Sequence, residues 1–305
     1  MSVAAVVVSF NRVEYLKKCM LALTRQTRKL DEIIVVENGS TDGSAEFIRA
    51  NYPGVTLHET GENLGGAGGF ALGVDIAIAN GHESAWLMDD DAEPHNDAVE
   101  HLCNAMKNAT RRPGFVTSLV VNDQGIASRD HTLDVSNDTK AQLEATNLDA
   151  IAVSSASFVG VLIDLQLAAR QPLPYSDFFI WLDDVEYTRR LASQSGGLCI
   201  PLSKIKHPEK NNRTDLGGRL FFFIRNSIWL SKLKTNRTTI LDRPSIVTLA
   251  MLGLSLKQLK VTENKKQWLR CSATGLWQGV FSNPKVDMPG SLVSKVADGN
   301  VAPLS

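Results

Sequence analysis

The sequence VAAVVVSFNR occupies residues 3–12 and introduces a pattern that the first half of the chain repeats. Six apolar residues are followed at once by polar Ser9, Asn11 and Arg12, which is typical of a buried strand that ends at the edge of a sheet. The run is too short for the apolar core of a signal peptide. We therefore expect residues 3–8 to form the first strand.

Similar apolar runs recur up to residue 121, and segments with helical periodicity separate them. Alternation of strands and helices predicts a doubly wound, mostly parallel sheet with flanking helices, which is an α/β fold. The further runs are residues 33–36, 55–57, 85–88 and 115–121. In such a sheet, ligands bind at the carboxyl ends of the strands, so the polar residues that follow these runs are the candidates for chemistry.

The second half of the chain is less regular. Residues 122–149 are polar and predict a long hairpin or excursion. Apolar runs at 158–163 and 178–182 predict two more strands, and three helices are expected near 217–233, 245–261 and 265–281. We therefore divide the chain into an α/β domain over residues 1–216 and a helical region over residues 217–305.

Composition excludes several classes of protein. The 305 residues carry a formal net charge of -1, so no global field attracts nucleic acid. The four cysteines lie far apart without CxxC spacing, which argues against a disulfide framework or a zinc site and suits a cytoplasmic protein. No run reaches the roughly 18 apolar residues that a membrane-spanning helix needs.

Three adjacent carboxylates, Asp89, Asp90 and Asp91, follow the apolar run at 85–88 directly. Side chains alternate along an extended segment, so we expect Asp89 and Asp91 to share a direction while Asp90 points elsewhere. Like charges at a buried strand end need a cation, and carboxylate oxygens suit Mg²⁺ or Mn²⁺. His207 follows another short strand and is a candidate third ligand. The alternative is a solvated turn in which Asp91 caps the next helix.

Two other strand ends carry polar or glycine-rich sequence. Glu37 and Asn38 suit contacts to a nucleobase, although Asn38-Gly39 is equally typical of a turn. Residues 62–70, ENLGGAGGF, place four glycines at a helix start, which suits a diphosphate or, alternatively, close helix packing. Neither P-loop nor dinucleotide spacing is present. Asp183 and Asp184 suit a general base or simply the charge preference of a helix N-terminus.

Together these segments resemble glycosyltransferase family 2, in family order over about the first 230 residues. The segments are VVVSFNR, LTRQTRKLDEIIVVENGSTDGS, NLGGAGGF, the DDD run and FFIWLDDVEYTRRL. Within the family, the chain looks most like bacterial galactofuranosyltransferases, and rhamnosyltransferases share much of the pattern. The resemblance implies a GT-A nucleotide-diphospho-sugar transferase fold with a Mn²⁺ or Mg²⁺ cofactor. It also implies inverting transfer of a sugar, galactofuranose from UDP-galactofuranose or rhamnose from dTDP-rhamnose, to a polysaccharide or lipid-linked glycan of the bacterial surface.

The resemblance also implies roles for individual residues. Asp89, Asp91 and His207 would hold the metal, Asp184 would be the base with Asp183 as the alternative, and Trp181 and Glu186 would face the acceptor. Arg225 and Asn226 resemble a recurring family segment with a structural or acceptor-facing role. The residues implied at the nucleotide-sugar donor are Phe10, Asn11, Arg12, Glu37, Asn38, Asn63, Gly65, Gly66, Gly69 and Asp90.

Two rival functions remain open at this stage. A sugar nucleotidyltransferase would place a glycine-rich triphosphate loop where Asn11 and Arg12 stand, and a non-catalytic nucleotide-sugar-binding scaffold would not need the acids. The C-terminal helices are amphipathic and basic. They would either lie on the inner membrane surface, or pack on the catalytic domain or a second subunit.

Overall fold

The computed structural model describes residues 1–209, 215–233 and 240–297, and a mixed β-sheet forms its centre. Its strands are β1 (Val3–Ser9), β2 (Glu32–Glu37), β3 (Thr56–Glu59), β4 (Ser84–Asp89), β5 (Glu93–Pro94), β6 (Phe115–Val121), β7 (Asp134–Val135), β8 (Ile151–Ser155), β9 (Val161–Asp164) and β10 (Gly197–Lys206). The sheet order is β3-β2-β1-β4-β9-β6-β10-β8-β7, and β5 pairs with β10.

Helices cover both faces of the sheet and form a separate C-terminal layer. They are α1 (Val13–Thr24), α2 (Ser44–Asn51), α3 (Gly65–Ala79), α4 (Ala98–Asn108), α5 (Thr139–Thr146), α6 (Leu165–Ala168), α7 (Asp183–Ser195), α8 (Arg219–Lys232), α9 (Pro244–Gln258), α10 (Lys265–Phe281) and α11 (Ser291–Ala297). The predicted fold class is confirmed. The sheet is mixed, because β1 to β4 pair in parallel whereas β5, β7, β8 and β9 pair antiparallel with their neighbours.

The parallel pairing of β1 with β2 and β4 determines where polar residues meet. All seven residues of β1 are buried, and the polar residues that follow it lie at its carboxyl end. There Ser9 lies opposite Glu37 on one side, and Val8 lies opposite Asp89 on the other. One edge of the sheet therefore collects the polar residues that follow three different strands.

A fourth strand end reaches the same edge from the second half of the chain. Strand β9 runs antiparallel to both β4 and β6, so β6 and its parallel partner β10 point in the same direction as β4. The residue after β10 is His207, whose backbone N–H donates to the carbonyl of Val121, 3.0 Å away. Topology thus brings His207 to the edge that carries Asp89.

Two glycines let α3 lie close on the sheet. A Cβ at Gly69 would lie 2.6 Å from Val8 Cγ1, and one at Gly73 would lie 2.2 Å from Val6 Cγ1. Residues four apart share one helix face, so this face presents bare backbone to β1. For Gly69, the structure therefore supports the helix-packing interpretation of the glycine-rich segment.

The C-terminal layer packs around α8. Leu220, Ile224 and Ile228 of α8 form an apolar cluster with residues of α9 and α10. Beyond α10 the chain returns to the sheet domain, where the buried carboxylate of Asp75 in α3 accepts the backbone N–H groups of Gly290, Leu292 and Val293. The domain boundary at residue 216 stays a prediction.

One predicted strand is wrong. Residues 178–182 do not join the sheet: a short 3₁₀ helix, Ser176–Phe178, is followed by Phe179, Trp181 and Leu182, each with a positive φ. Phe178 is buried and packs with Trp229 of α8 in a cluster that includes Ala67 of α3, whereas residues 179–182 are partly buried. A short apolar run signals burial, but it does not by itself distinguish a strand from a packed loop.

The predicted excursion at residues 122–149 contains β7 and α5, and the three C-terminal helices occur as α8, α9 and α10. Residues 234–239 and 298–305 of the predicted helical region lie outside the described residues. Within the described part of the chain, no helix is both long and apolar enough to cross a bilayer.

Gly73→Ala should destabilise the protein by about 1 to 3 kcal/mol, because the added methyl group overlaps Val6 in a packed core. Gly253→Ala in α9 is the matched control, since a Cβ there meets nothing within 4 Å and alanine favours a helix interior by roughly 0.5 to 1 kcal/mol. Chemical denaturation measures the free energy of unfolding of both variants. Equal stability of the two variants would contradict the close packing of α3 on β1.

Candidate active site

Asp89, Asp91 and His207 converge at the polar edge of the sheet. One ligand atom from each residue lies within 4.8 Å of the others, and Nε2 of His207 is 3.0 Å from Oδ1 of Asp91. Asp91 and His207 are buried, whereas Asp89 is partly exposed. Two carboxylates and one imidazole form a donor set that Mn²⁺ or Mg²⁺ accepts, so these residues fit a divalent cation.

Asp90 turns away from this cluster, as the alternation of side chains predicted. Its Oδ2 accepts hydrogen bonds from the Ser9 hydroxyl and from the Phe10 backbone N–H, both at 3.1 Å. Burial raises the pKa of Asp90 to about 6, although Arg12 and the Phe10 N–H favour its charged form. Arg12 also donates to Asp91 Oδ2 at 2.5 Å, so its guanidinium neutralises part of the acidic run.

The ends of β1 and β2 are tied together by side chains near the predicted nucleobase site. Asn11, at φ 51°, accepts the backbone N–H of Thr41 through Oδ1 at 2.8 Å. Glu37 is buried and accepts the N–H of Ser40 at 2.7 Å. Asp42 accepts the backbone N–H of Val13, the first residue of α1, at 2.8 Å.

The glycine-rich segment combines packing with an open backbone. Asn63 accepts the N–H of Gly65 at 2.8 Å, and Asn38 Nδ2 donates to the carbonyl of Gly65 at 3.0 Å. Gly65 has φ 71°, and a Cβ there would lie 2.1 Å from the carbonyl oxygen of Phe179. A Cβ at Gly66 would meet nothing within 4 Å, so of the three predicted glycines this position is open to a ligand.

Asp183 and Asp184 begin α7 directly after the left-handed residues of the loop. Burial raises the pKa of Asp184 to about 6, against a hydrogen bond of 2.7 Å from the Val185 N–H. Burial also raises the pKa of Asp183, and the charges of Asp184 and Asp89 raise it further. The two acidic stretches therefore lie within electrostatic reach of one another.

A recess of about 490 Å³ opens beside Asp184. Its wall is mainly apolar and is contributed by residues 181–185, α8, α9 and Leu216, which lies three residues before α8. The lining residues are Trp181, Leu182, Asp184, Val185, Leu216, Phe223, Leu254 and Gln258. Trp181 and Asp184 therefore line the same recess.

Glu186, the other residue expected at the acceptor, has a different environment. It is 1% exposed, and its two oxygens accept from Arg190 at 3.0 and 2.8 Å. Arg190 in turn donates to the carbonyls of Pro172 and Leu173. This buried ion pair gives Glu186 a structural role in holding α7 against the preceding segment.

Sequence reasoning missed the role of Ser9, and although the family resemblance singled out Asn226, it gave no partners for that residue. Ser9 binds Asp90, and its only signal was its position at the end of β1. Asn226 is fully buried and donates to three carbonyls of residues 178–181. These contacts join residues 45 to 48 positions apart in the sequence, so no local pattern predicts them.

A family model described as "Glycosyl transferase family 2" matches residues 4–155. The galactofuranosyltransferase GlfT1 of Mycolicibacterium smegmatis is 31% identical over 235 residues, which cover 72% of this chain and 75% of that protein. The chain belongs to glycosyltransferase family 2. GlfT1 of Mycobacterium tuberculosis is 44% identical over a shorter stretch of 100 residues, 33% of its length.

Solved structures of glycosyltransferases share the fold. S. aureus TarS 1-349 aligns with a TM-score of 0.58 at 11% identity, covering 92% of this chain and 81% of that one. GalNAc-T7 with UDP, GalNAc and Mn²⁺ aligns with a TM-score of 0.56 at 14% identity, covering 78% and 52%. The family 2 chain is therefore a glycosyltransferase with a GT-A-like fold.

Asp184→Asn should stabilise the free protein by about 1 to 3 kcal/mol at pH 7.5. The folded-state pKa of Asp184 is raised above the unfolded value, so the wild type loses stability as the pH rises from about 4 to about 6. Asparagine removes this penalty and keeps the acceptor for Val185. Unfolding midpoints without metal or donor, at pH 7.5 and pH 4, test the effect. A gain of equal size at both pH values would contradict it.

Proposed function

We propose that this family 2 enzyme transfers galactofuranose from UDP-galactofuranose, with inversion, to a hydroxyl of a polysaccharide or lipid-linked glycan acceptor, and that it requires Mn²⁺ or Mg²⁺. The convergence of Asp89, Asp91 and His207, with Asp183 and Asp184 close by, carries the proposal. Similarity to two galactofuranosyltransferases supports the donor. A GT-A relative solved with UDP and Mn²⁺ supports the nucleotide and the metal.

On the donor side, we assign the uridine to the edge formed by Phe10, Asn11 and Glu37. Phe10 is 38% exposed and offers an aromatic face beside the polar groups. The open backbone at Gly66 lies at the N-terminus of the 15-residue helix α3, where N–H groups and the helix dipole favour a phosphate. Asp90 and Ser9 then hold the segment that carries Phe10 in place.

The chemistry follows from the charges at the site. A divalent cation held by Asp89, Asp91 and His207 would stabilise the negative charge that develops on the departing diphosphate. Asp184 accepts the proton of the attacking hydroxyl, and its raised pKa makes it a better proton acceptor than an ordinary aspartate. Attack from the face opposite the diphosphate inverts the anomeric configuration in one displacement.

On the acceptor side, the recess beside Asp184 suits a glycan. Trp181 and Phe223 offer aromatic faces, and Gln258 offers a polar group. Exposed apolar residues on α9 and α10, such as Leu249 at 68% and Trp277 at 66%, support peripheral contact with the inner face of the cell membrane. A second copy of the chain is the alternative occupant of that surface.

We expect purified protein, incubated with glycan acceptors and Mn²⁺, to form product with UDP-galactofuranose and not with UDP-galactopyranose, UDP-glucose or dTDP-rhamnose. Mass spectrometry of the product identifies the transferred sugar, and a sample treated with EDTA tests the metal requirement. Transfer from dTDP-rhamnose alone would replace the proposed donor. Undiminished transfer in EDTA would contradict the proposed requirement for a metal ion.

Asp184→Asn should lower kcat by about a hundredfold to ten-thousandfold, because the attacking hydroxyl loses its base. In the wild type, kcat should fall as the pH drops below about 6, where Asp184 becomes protonated. Asp183→Asn in a parallel pH–rate measurement serves as the comparison. If Asp183→Asn is instead the variant that loses turnover and the decrease in kcat at low pH, Asp183 is the base.

A further inference from the structure

Residues 176–182 form a loop that connects the two sides of the site. Its last residue, Leu182, precedes Asp183 and Asp184, and its Trp181 lines the recess. On its other side, the Phe179 carbonyl accepts the backbone N–H of Ala67 at 3.2 Å, at the start of α3. Any shift of this loop therefore moves the candidate base relative to the glycine-rich segment.

The backbone of the loop is strained. Phe179, Trp181 and Leu182 have φ angles of 61°, 67° and 70°, a region that costs residues with a side chain roughly 1 to 2 kcal/mol each. Such conformations persist only where the surrounding structure over-determines them. Leu182 supplies no side-chain hydrogen bond as the N-cap of α7. Backbone bonds within the loop, such as Phe179 N–H to the Ser176 carbonyl at 3.0 Å, are joined by contacts from outside it.

Two adjacent residues of α8 supply that restraint. Asn226 Nδ2 lies 2.9 Å from the carbonyl oxygens of Phe178 and Ile180, and 3.0 Å from that of Trp181. Arg225 donates to the carbonyls of Asp177 and Phe178. These carbonyls lie outside the β-sheet and have no strand partner, and a buried carbonyl without a donor costs about 1 to 3 kcal/mol.

The α8 pair is itself fixed. The Asn226 side chain is fully buried, and its Oδ1 accepts from Arg225 Nε at 3.1 Å. This bond leaves both N–H groups of the amide directed at the loop. The Arg225 guanidinium lies 4.2 Å from the ring centroid of Trp229, which packs in turn against Phe178. The donors are thus pre-organised rather than adaptable.

We propose that Asn226, supported by Arg225, is a positioning residue for the transfer reaction: it holds the 176–182 loop so that Asp184 and Trp181 face the acceptor. The inference rests on the proposed function. In this role Asn226 contacts neither donor, metal nor acceptor. Loss of its side chain should therefore lower turnover, while the affinity of the protein for UDP stays near that of the wild type.

The test compares Asn226→Ala with wild type and with Ser227→Ala. Ser227 is the matched control, because it lies on the same helix and its hydroxyl bonds only to the Phe223 carbonyl of that helix in the described contacts. We expect Asn226→Ala to lower kcat about tenfold to a hundredfold, since small misplacement of a reacting group has effects of this size. The KM for UDP-galactofuranose and the dissociation constant of UDP with Mn²⁺ should change less than threefold.

Hydrogen–deuterium exchange separates positioning from general destabilisation. In Asn226→Ala, amides of residues 179–184 should exchange faster, while those of β1 and β4 keep wild-type rates; Ser227→Ala should change neither. Turnover within twofold of wild type overturns the proposal. So does a loss of turnover that is matched by weaker UDP binding, or that occurs without faster exchange in the loop.

A second variant keeps the proposal testable if Asn226→Ala does not fold. If Asn226→Ala loses cooperative unfolding, Arg225→Lys keeps the positive charge but removes the forked guanidinium that reaches the carbonyls of Asp177 and Phe178, and the same readouts apply. If wild-type protein transfers no sugar from any donor, the proposed function fails. The exchange comparison then still decides whether α8 holds the loop.

Discussion

The site depends on how the chain compensates three consecutive carboxylates at the end of a buried strand. Two unit charges a few ångströms apart in a poorly solvated site repel by several kcal/mol, so Asp89, Asp90 and Asp91 cannot share one environment. The structure separates them. Asp90 turns back to the end of β1, whereas Asp91 pairs with Arg12 and His207. Asp89, which is partly exposed, and the buried Asp91 and His207 together present the oxygen and nitrogen donors that suit a cation.

Much of the donor edge could be predicted because it is encoded locally. A parallel sheet aligns the ends of its strands, so a residue that follows β1, β2 or β4 has its place fixed by the alternation of strands and helices alone. Asp89 and Asp91 were recognised for this reason. His207 was recognised because it follows another short strand, and the structure adds the physical cause of its convergence with Asp89, which is the shared direction of β4, β6 and β10.

The acceptor side could be predicted less well, because non-local contacts determine it. The apolar run 178–182 has the composition of a strand, yet Asn226 and Arg225 donate to its carbonyls and hold it as a loop. Glu186 stands in a helix turn rich in acids, and sequence gives no means of telling it from Asp184. Only the structure distinguishes the two: Glu186 forms an ion pair with Arg190, whereas Asp184 lines a recess.

Under the proposed function, this contrast would let the fold keep its donor chemistry while its acceptor changes. The family match covers residues 4–155 and ends before Asp184, His207 and Asn226. Asp184 lines a recess together with residues of α8 and α9. The C-terminal segment reaches back to Asp75 in α3. Substitutions in that layer can therefore reshape the wall of the recess at Leu254 or Gln258 without disturbing the packing of α3 on β1. Because the loop at 176–182 contacts both parts, its restraint by Asn226 is the feature that such variation has to preserve.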